Sequence, residues 1–174
     1  MNALVPLVVM LPLIGAAAAL VLGKRPHAQR AVAIVALSSV VVIGSVMLFI
    51  ADAEEALVME VGGWAAPFGI VLIVDRLSAL MVVVSAIVLL AVLVFSIGQG
   101  LADGDDETPV SIYYPTYLIL AAGVFTAFIA GDLFNLYVGF EMLLVASYVL
   151  ITINATRSRI PTAPRTSWSV CCRR

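Results

Sequence analysis

The sequence predicts an all-α polytopic membrane protein with five transmembrane helices, a short β-hairpin between helices 2 and 3, and a disordered carboxy-terminal tail. Of the 174 residues, 63 % are apolar, whereas a soluble domain is about 45–50 % apolar. The apolar residues form long uninterrupted runs. Such runs indicate helices, because the strands of a membrane barrel alternate apolar and polar residues over about 10 positions.

Five apolar runs are each long enough to cross a bilayer core, which takes about 20 helical residues. We place the spans at about residues 3–22, 31–50, 77–97, 112–130 and 132–152. The last two form one run that is twice as long as a single crossing, so the chain has to turn within it. Gly131 and Asp132 mark the turn, since Gly ends helices and Asp caps them. Three tyrosines at the start of the fourth span are typical of an aromatic belt at the membrane interface: Tyr113, Tyr114 and Tyr117.

The segment between the second and third spans differs from the rest. Two short β-like runs, residues 57–61 and 69–74, flank a stretch punctuated by Gly and Pro. This pattern favours a hairpin at the membrane surface over an additional helix. Trp64 is expected to lie at the level of the lipid headgroups.

Residues 1–153 form the predicted membrane domain, and residues 154–174 a polar tail with five arginines. Because cytoplasmic loops are enriched in Lys and Arg, the first loop, with Lys24, Arg25 and Arg30, is assigned to the cytoplasm. Five spans then leave the amino terminus and the hairpin outside, and the tail inside.

Glu141 is the candidate functional residue. It is the ninth residue after Asp132, which places it about 14 Å along a helix and close to the bilayer midplane. A charged side chain there costs about 2.5–3.5 kcal/mol on insertion scales, and ionisable residues within membranes usually mark function. Tyr137 and Tyr148 share its helix face, so we expect proton transfer at Glu141 with both phenols supporting it. The alternative is a permanently protonated Glu141 that bonds a neighbouring helix.

Other polar residues have simpler interpretations. Asp132 is expected to cap the fifth span. Asp75 is expected to cap the third span. With Arg76 it is also expected to form an interfacial ion pair that anchors this span, or to line an entrance. The chain contains no Gly-rich phosphate loop, no His/Cys set with metal-ligand spacing and no nucleophile paired with a base, so we expect neither a cofactor nor a metal.

Two segments resemble a known family. GDLFNLYVGFEMLLVASYVL, residues 131–150, closely resembles the helix that carries the essential glutamate in antiporter-like subunits of Mrp-type Na⁺/H⁺ antiporters and respiratory complex I. GGWAAPFGIVLIVDRLSALM, residues 62–81, resembles the hairpin and third helix of these proteins. The second segment is most similar to the D-type subunits of Mrp antiporters, with the N-type subunits of complex I second. The resemblance extends from the amino terminus to about Ile153.

The resemblance implies a subunit of a monovalent cation (Na⁺)/proton antiporter in a prokaryotic plasma membrane, and therefore a transporter subunit, not an enzyme. Protons and Na⁺ would be its substrates, and other membrane subunits and the lipid bilayer its partners; no nucleic acid is implied. In the family the glutamate works with a lysine on a later helix. Glu141 can be carried over, whereas Lys24 lies in a loop.

The tail departs from the family. From about Asn154 it resembles a frameshifted or prematurely ended product, so we expect no exchange by the chain alone. Two alternatives stay open: a proton-pumping, N-type component of an NADH:quinone oxidoreductase, which would make it a translocase component, and a non-conducting membrane scaffold or assembly fragment.

Overall fold

The computed structural model describes residues 4–23, 25–53, 57–63, 69–99 and 112–158. Within these residues the chain forms the five α-helices and the two-stranded sheet that were predicted, together with a 3₁₀ turn at Val61–Gly63. In chain order the elements are α1 Leu4–Val21, α2 Pro26–Ala53, β1 Leu57–Glu60, β2 Val71–Val74, α3 Arg76–Gly98, α4 Tyr113–Ile129 and α5 Leu133–Ser158. The mostly helical, apolar architecture confirms a polytopic membrane protein.

Two helices, α2 and α5, extend well beyond the predicted spans, whereas α3 exceeds its span by one residue at each end. α2 begins at Pro26 and has 28 residues, about 42 Å at 1.5 Å per residue, so its polar ends extend beyond a hydrocarbon core of about 30 Å. Pro is favoured at the first helical position, which explains the early start. α5 continues to Ser158, past the predicted boundary at residue 153. The remainder of the predicted tail, residues 159–174, lies outside the described residues.

α4 is the central helix of the described bundle. α1, α2, α3 and α5 are long and apolar enough to cross a membrane, whereas α4, with 17 residues, is shorter. α4 nevertheless contacts all four other helices. Leu118, Phe125 and Ile129 of α4 are fully buried. A short helix that is apolar on most sides is therefore surrounded by longer ones, as expected for a helix in a protein interior.

The prediction of an aromatic belt at the start of α4 was wrong. Tyr113 and Tyr117 are buried and reach α3: the Tyr113 hydroxyl bonds the Ser96 hydroxyl at 2.9 Å, and the Tyr117 hydroxyl donates to the Leu89 carbonyl at 2.7 Å. Tyr114 is 1 % exposed. A buried phenol needs a hydrogen-bond partner, and α3 supplies one for Tyr113 and one for Tyr117. The belt prediction had assumed that lipid headgroups would be these partners.

The predicted hairpin is confirmed. β1 and β2 pair antiparallel, with Leu57 opposite Val74, and both side chains are buried against the helices. Gly62 and Gly63, which follow β1, have φ angles of 77° and 72°, in the left-handed region that glycine tolerates best. Trp64, predicted at the headgroups, lies outside the described residues.

Candidate functional site

The turn between α4 and α5 positions the start of the helix that carries Glu141. Ala130 leaves the helical conformation at φ −65° and ψ 122°, and α5 begins three residues later. The Asp132 carboxylate accepts a hydrogen bond from the Asn135 N–H at 2.6 Å, and its backbone carbonyl accepts from the Leu136 N–H at 3.1 Å. Asp132 is therefore the N-cap of α5.

The same turn is bonded to the hairpin. The second carboxylate oxygen of Asp132 accepts from the Val71 N–H at 3.2 Å. The Gly131 N–H donates to the Val71 carbonyl at 2.8 Å, and Leu72 forms an isolated antiparallel bridge with Ala130. Strand β2 is thus joined to the head of α5. Sequence reasoning missed this connection, because it links residues about 60 positions apart that carry no shared local pattern.

α5 has two distinct faces. Asn135, Gly139 and Ala146 are buried on the side that meets α4. Tyr137 is 61 % exposed and Tyr148 71 % exposed on the other side. Small residues let helices approach closely in membranes, which explains why Gly139 and Ala146 define the contact. The bulky aromatic face therefore points away from the described bundle.

Glu141 lies on this outer face and is exposed. The described part of the chain does not bury it, because its side of α5 is turned away from α4. Tyr137 lies one helical turn earlier on the same side of α5, and its hydroxyl is close enough to the Glu141 carboxylate to interact with it electrostatically. Tyr148 lies two turns further along α5, on the same side. A carboxylate with a phenol donor beside it can hold a proton and release it to a neighbouring acceptor.

Asp75 caps the third helix as predicted, whereas Arg76 has a different partner from the one expected. The Asp75 carboxylate accepts from the Ser78 N–H at 2.7 Å and caps α3, and this bond lowers the pKa of Asp75. Arg76 instead reaches the end of α2: its Nε lies 3.5 Å from the Asp52 carboxylate, and it also donates to the carbonyls of Ala51 and Asp52. A cation at a helix carboxy terminus complements the helix dipole, so Arg76 joins α3 to α2 and the expected Asp75–Arg76 pair is replaced.

Two further observations complete the site. Among the described residues, no group of three or more His, Cys, Asp or Glu side chains could hold a metal ion. The side-chain nitrogen of Asn135 is buried without a hydrogen-bond partner in the described structure. Nothing in the sequence pattern distinguished Asn135 from its neighbours in advance.

The chain was compared with protein families, curated proteins and solved structures, and no family model matches it. It is 36 % identical over 165 residues to the D-type subunit of the Na⁺/H⁺ antiporter of Alkalihalophilus pseudofirmus, covering 92 % of this chain and 32 % of the relative. It is 34 % identical over 160 residues to the corresponding Na⁺/H⁺ antiporter subunit of Bacillus subtilis, with the same coverage. A chain in the structure of the Mrp complex from Dietzia sp. DQ12-45-1b superposes with a TM-score of 0.76 and 27 % identity, covering 87 % of this chain and 28 % of that one.

The similarity includes nine tenths of this chain, so it extends over all five helices and the hairpin. The chain spans about one third of the length of the curated relatives it matches. By sequence and by fold, the chain is related to the family of D-type subunits of Na⁺/H⁺ antiporters.

Proposed function

We propose that the chain forms the proton-binding part of a Na⁺/H⁺ antiporter subunit, in which Glu141 takes up and releases the transported proton. The observation that carries this proposal is the position of one carboxylate on an otherwise apolar, aromatic helix face, with the Tyr137 side chain beside it. An ionisable group held there at a cost in stability is expected to have a function.

The exposure of Glu141 indicates that other protein covers it. Phe134, Tyr137, Val145 and Tyr148 surround it on the outer face of α5, and all are exposed. The hydrocarbon of lipid tails would offer this carboxyl group no hydrogen-bond partner. Since the relatives are about three times as long as this chain, the remaining two thirds of such a subunit would cover this face and supply the positive charge that the resemblance implies.

The chemistry follows from the immediate surroundings of the carboxyl group. In general, a phenol donor beside a carboxyl group favours its charged form, whereas removal from water favours its neutral form. A nearby cation would shift the balance between the charged and the neutral form of the carboxyl group. A cation that moves towards and away from Glu141 would make the two forms alternate. Proton uptake and release at Glu141 are then coupled to whatever moves that charge, which in this proposal is Na⁺ exchange by the assembled complex.

The partners and orientation belong to the same proposal. The chain would assemble with other membrane subunits in a prokaryotic plasma membrane. The connection between α1 and α2, with Arg25, and the first turns of α2, with Arg30, would face the cytoplasm. The hairpin and the α4–α5 turn lie at one end of the bundle, because β2 is bonded to that turn, and this end would face outward.

The test is Na⁺/H⁺ exchange in membrane vesicles that contain the chain with its full set of partner subunits. Glu141→Gln should reduce exchange by about 100-fold or more, since loss of a proton-transferring group costs about 10²–10⁴-fold. Glu60→Gln is the matched control, because Glu60 is exposed on the hairpin and should be dispensable. Intact exchange by an assembled Glu141→Gln complex would exclude the proton-transfer role and favour the scaffold alternative.

A further inference from the structure

One carboxylate joins the hairpin to the helix that carries Glu141. The two oxygens of Asp132 accept from different elements: one from the Asn135 N–H of α5 at 2.6 Å, the other from the Val71 N–H of β2 at 3.2 Å. Helix capping requires the bond to the first turn of the helix. The bond to the strand is additional, so Asp132 does more than start α5.

The contact around this carboxylate is tight. The Gly131 N–H donates to the Val71 carbonyl at 2.8 Å. A Cβ atom at Gly131 would lie 2.7 Å from Cγ1 of Ile73 and 2.8 Å from the Val71 carbonyl oxygen, distances that side chains do not adopt. The turn and the strand therefore meet at backbone level, and the strand cannot shift without moving the turn.

The helix transmits this constraint to the proposed proton site. Glu141 is nine residues after Asp132, about 14 Å along one continuous helix. Two residues before Glu141, a Cβ atom on Gly139 would lie 3.1 Å from the Ala127 nitrogen of α4, so α5 is held a second time. Contacts at two levels fix both the axial position of a helix and its rotation.

We propose that Asp132 is a positioning residue for Glu141. Through Asp132, strand β2 holds α5 at the depth and rotation that set the surroundings of the Glu141 carboxyl group. This inference rests on the proposed function, because it assigns a role in proton transfer to a residue that touches neither the proton nor Glu141. It also gives the hairpin a function: a displacement of β2 is passed to the proton site.

The test measures the Glu141 carboxyl group itself. The chain is purified with its partner subunits and reconstituted in liposomes, and the protonated carboxyl band is titrated by infrared difference spectroscopy, with Glu141→Gln assigning the band. Tyr137 is the titratable side chain that lies beside Glu141 on α5, and α4 meets α5 through Gly123 and Ala127, which do not titrate. A change in midpoint therefore reports the placement of α5.

Two variants break the link in different ways. Asp132→Asn keeps the cap, since Asn caps as well as Asp, but offers one acceptor oxygen where two are used. Val71→Pro removes the N–H that Asp132 accepts and leaves the charge and the cap intact; Pro is tolerated at the first residue of a strand. Both should move the midpoint by about half a pH unit or more, which is within the range that altered hydrogen bonding and charge produce.

Asp75→Asn is the matched control, because it removes the same charge from an N-cap that is bonded to its own helix, and it should leave the midpoint unchanged. A Val71→Pro midpoint equal to that of the unsubstituted complex would overturn the positioning role. If the complex with Val71→Pro does not assemble, the midpoint is measured on Asp132→Ser instead, which keeps one capping oxygen. An unchanged midpoint in that variant would overturn the positioning role in the same way. Absence of any Glu141 titration in the unsubstituted complex would instead overturn the proposed function.

Discussion

Gly123 of α4 and Gly139 of α5 face each other at a distance that excludes side chains. A Cβ atom on Gly123 would lie 3.1 Å from the Gly139 carbonyl oxygen and 2.9 Å from the Leu143 nitrogen. Both are backbone atoms, so no side-chain rotation can relieve the contact. The inner face of the Glu141 helix is thus defined by glycine, and its outer face by aromatic residues.

Gly123→Ala should lower the free energy of unfolding by about 1–3 kcal/mol, the usual cost of overpacking a close contact. Gly98→Ala is the control, because a Cβ atom at Gly98, the last residue of α3, would meet nothing within 4 Å. Replacing that glycine should be neutral or slightly stabilising, since Ala favours helices over Gly. Thermal unfolding of the purified chain in detergent measures both variants; equal melting temperatures would contradict the close approach.

Tyr137→Phe should reduce exchange by the assembled complex about 10-fold or more, because losing a hydrogen-bond donor to a charged group costs about 1.5–3 kcal/mol and about 1.4 kcal/mol is tenfold in rate. The hydroxyl of Tyr137 lies beside the Glu141 carboxylate. Tyr148→Phe is the matched control on the same exposed face, since Tyr148 lies two helical turns from Glu141 and Tyr137 only one. A larger loss for Tyr148→Phe than for Tyr137→Phe would reverse the assignment of the supporting phenol. The comparison is made on vesicles with equal amounts of assembled complex.

The sequence was sufficient for the elements that depend on local chemistry. Apolar runs located the helices, and Gly and Pro located the hairpin. The break at Gly131 and Asp132 is confirmed, because α4 ends at Ile129 and α5 begins at Leu133. Each of these features depends on neighbouring residues along the chain, so one sequence contains the required information.

Features that depend on packing could not be predicted in the same way. The side chain of Tyr113 suits both a membrane interface and a buried contact between helices. Only the position of α3 determines which of the two environments it occupies. Arg76 was assigned to its neighbour Asp75, although the end of α2 provides Asp52 and two carbonyls. The direction in which Glu141 points depends on which face of α5 meets α4. α5 is apolar on both faces, so its sequence does not identify the inner one.

Tyr113 and Ser96 should show a coupled loss of stability. Their hydroxyl groups are 2.9 Å apart and buried between α4 and α3. Tyr113→Phe and Ser96→Ala should each cost about 0.5–1.5 kcal/mol, and the double variant should cost less than the sum because both remove the same bond. Ser85→Ala is the control, since Ser85 bonds the Val82 carbonyl of its own helix. The loss of stability in Ser85→Ala should add to that in Tyr113→Phe without coupling. If the losses in Tyr113→Phe and Ser96→Ala also prove additive, the hydrogen bond between the two hydroxyl groups is contradicted.

Asp75 should control the acid stability of the first turn of α3. The Ser78 N–H holds the pKa of Asp75 below its ordinary value of 3.8, so the folded state favours the carboxylate. A group with a lowered pKa contributes stability above its ordinary value, and this contribution is lost as the pH falls through the folded-state pKa. The cap should therefore be intact at about pH 5, above that ordinary value, and weakened at about pH 3, below it.

The chemical shift of the Ser78 amide, followed by NMR between these two pH values, measures the loss of the cap directly. In Asp75→Asn the cap is kept and has no carboxylate to protonate, so the Ser78 signal should no longer move with pH. Asp52→Asn is the control for charge, because Asp52 contacts Arg76 at the end of α2 and is not part of the cap. Two outcomes would show that the Ser78 amide does not stabilise the carboxylate. One is a midpoint of the Ser78 chemical-shift titration above the ordinary pKa of Asp, and the other is the same titration in Asp75→Asn.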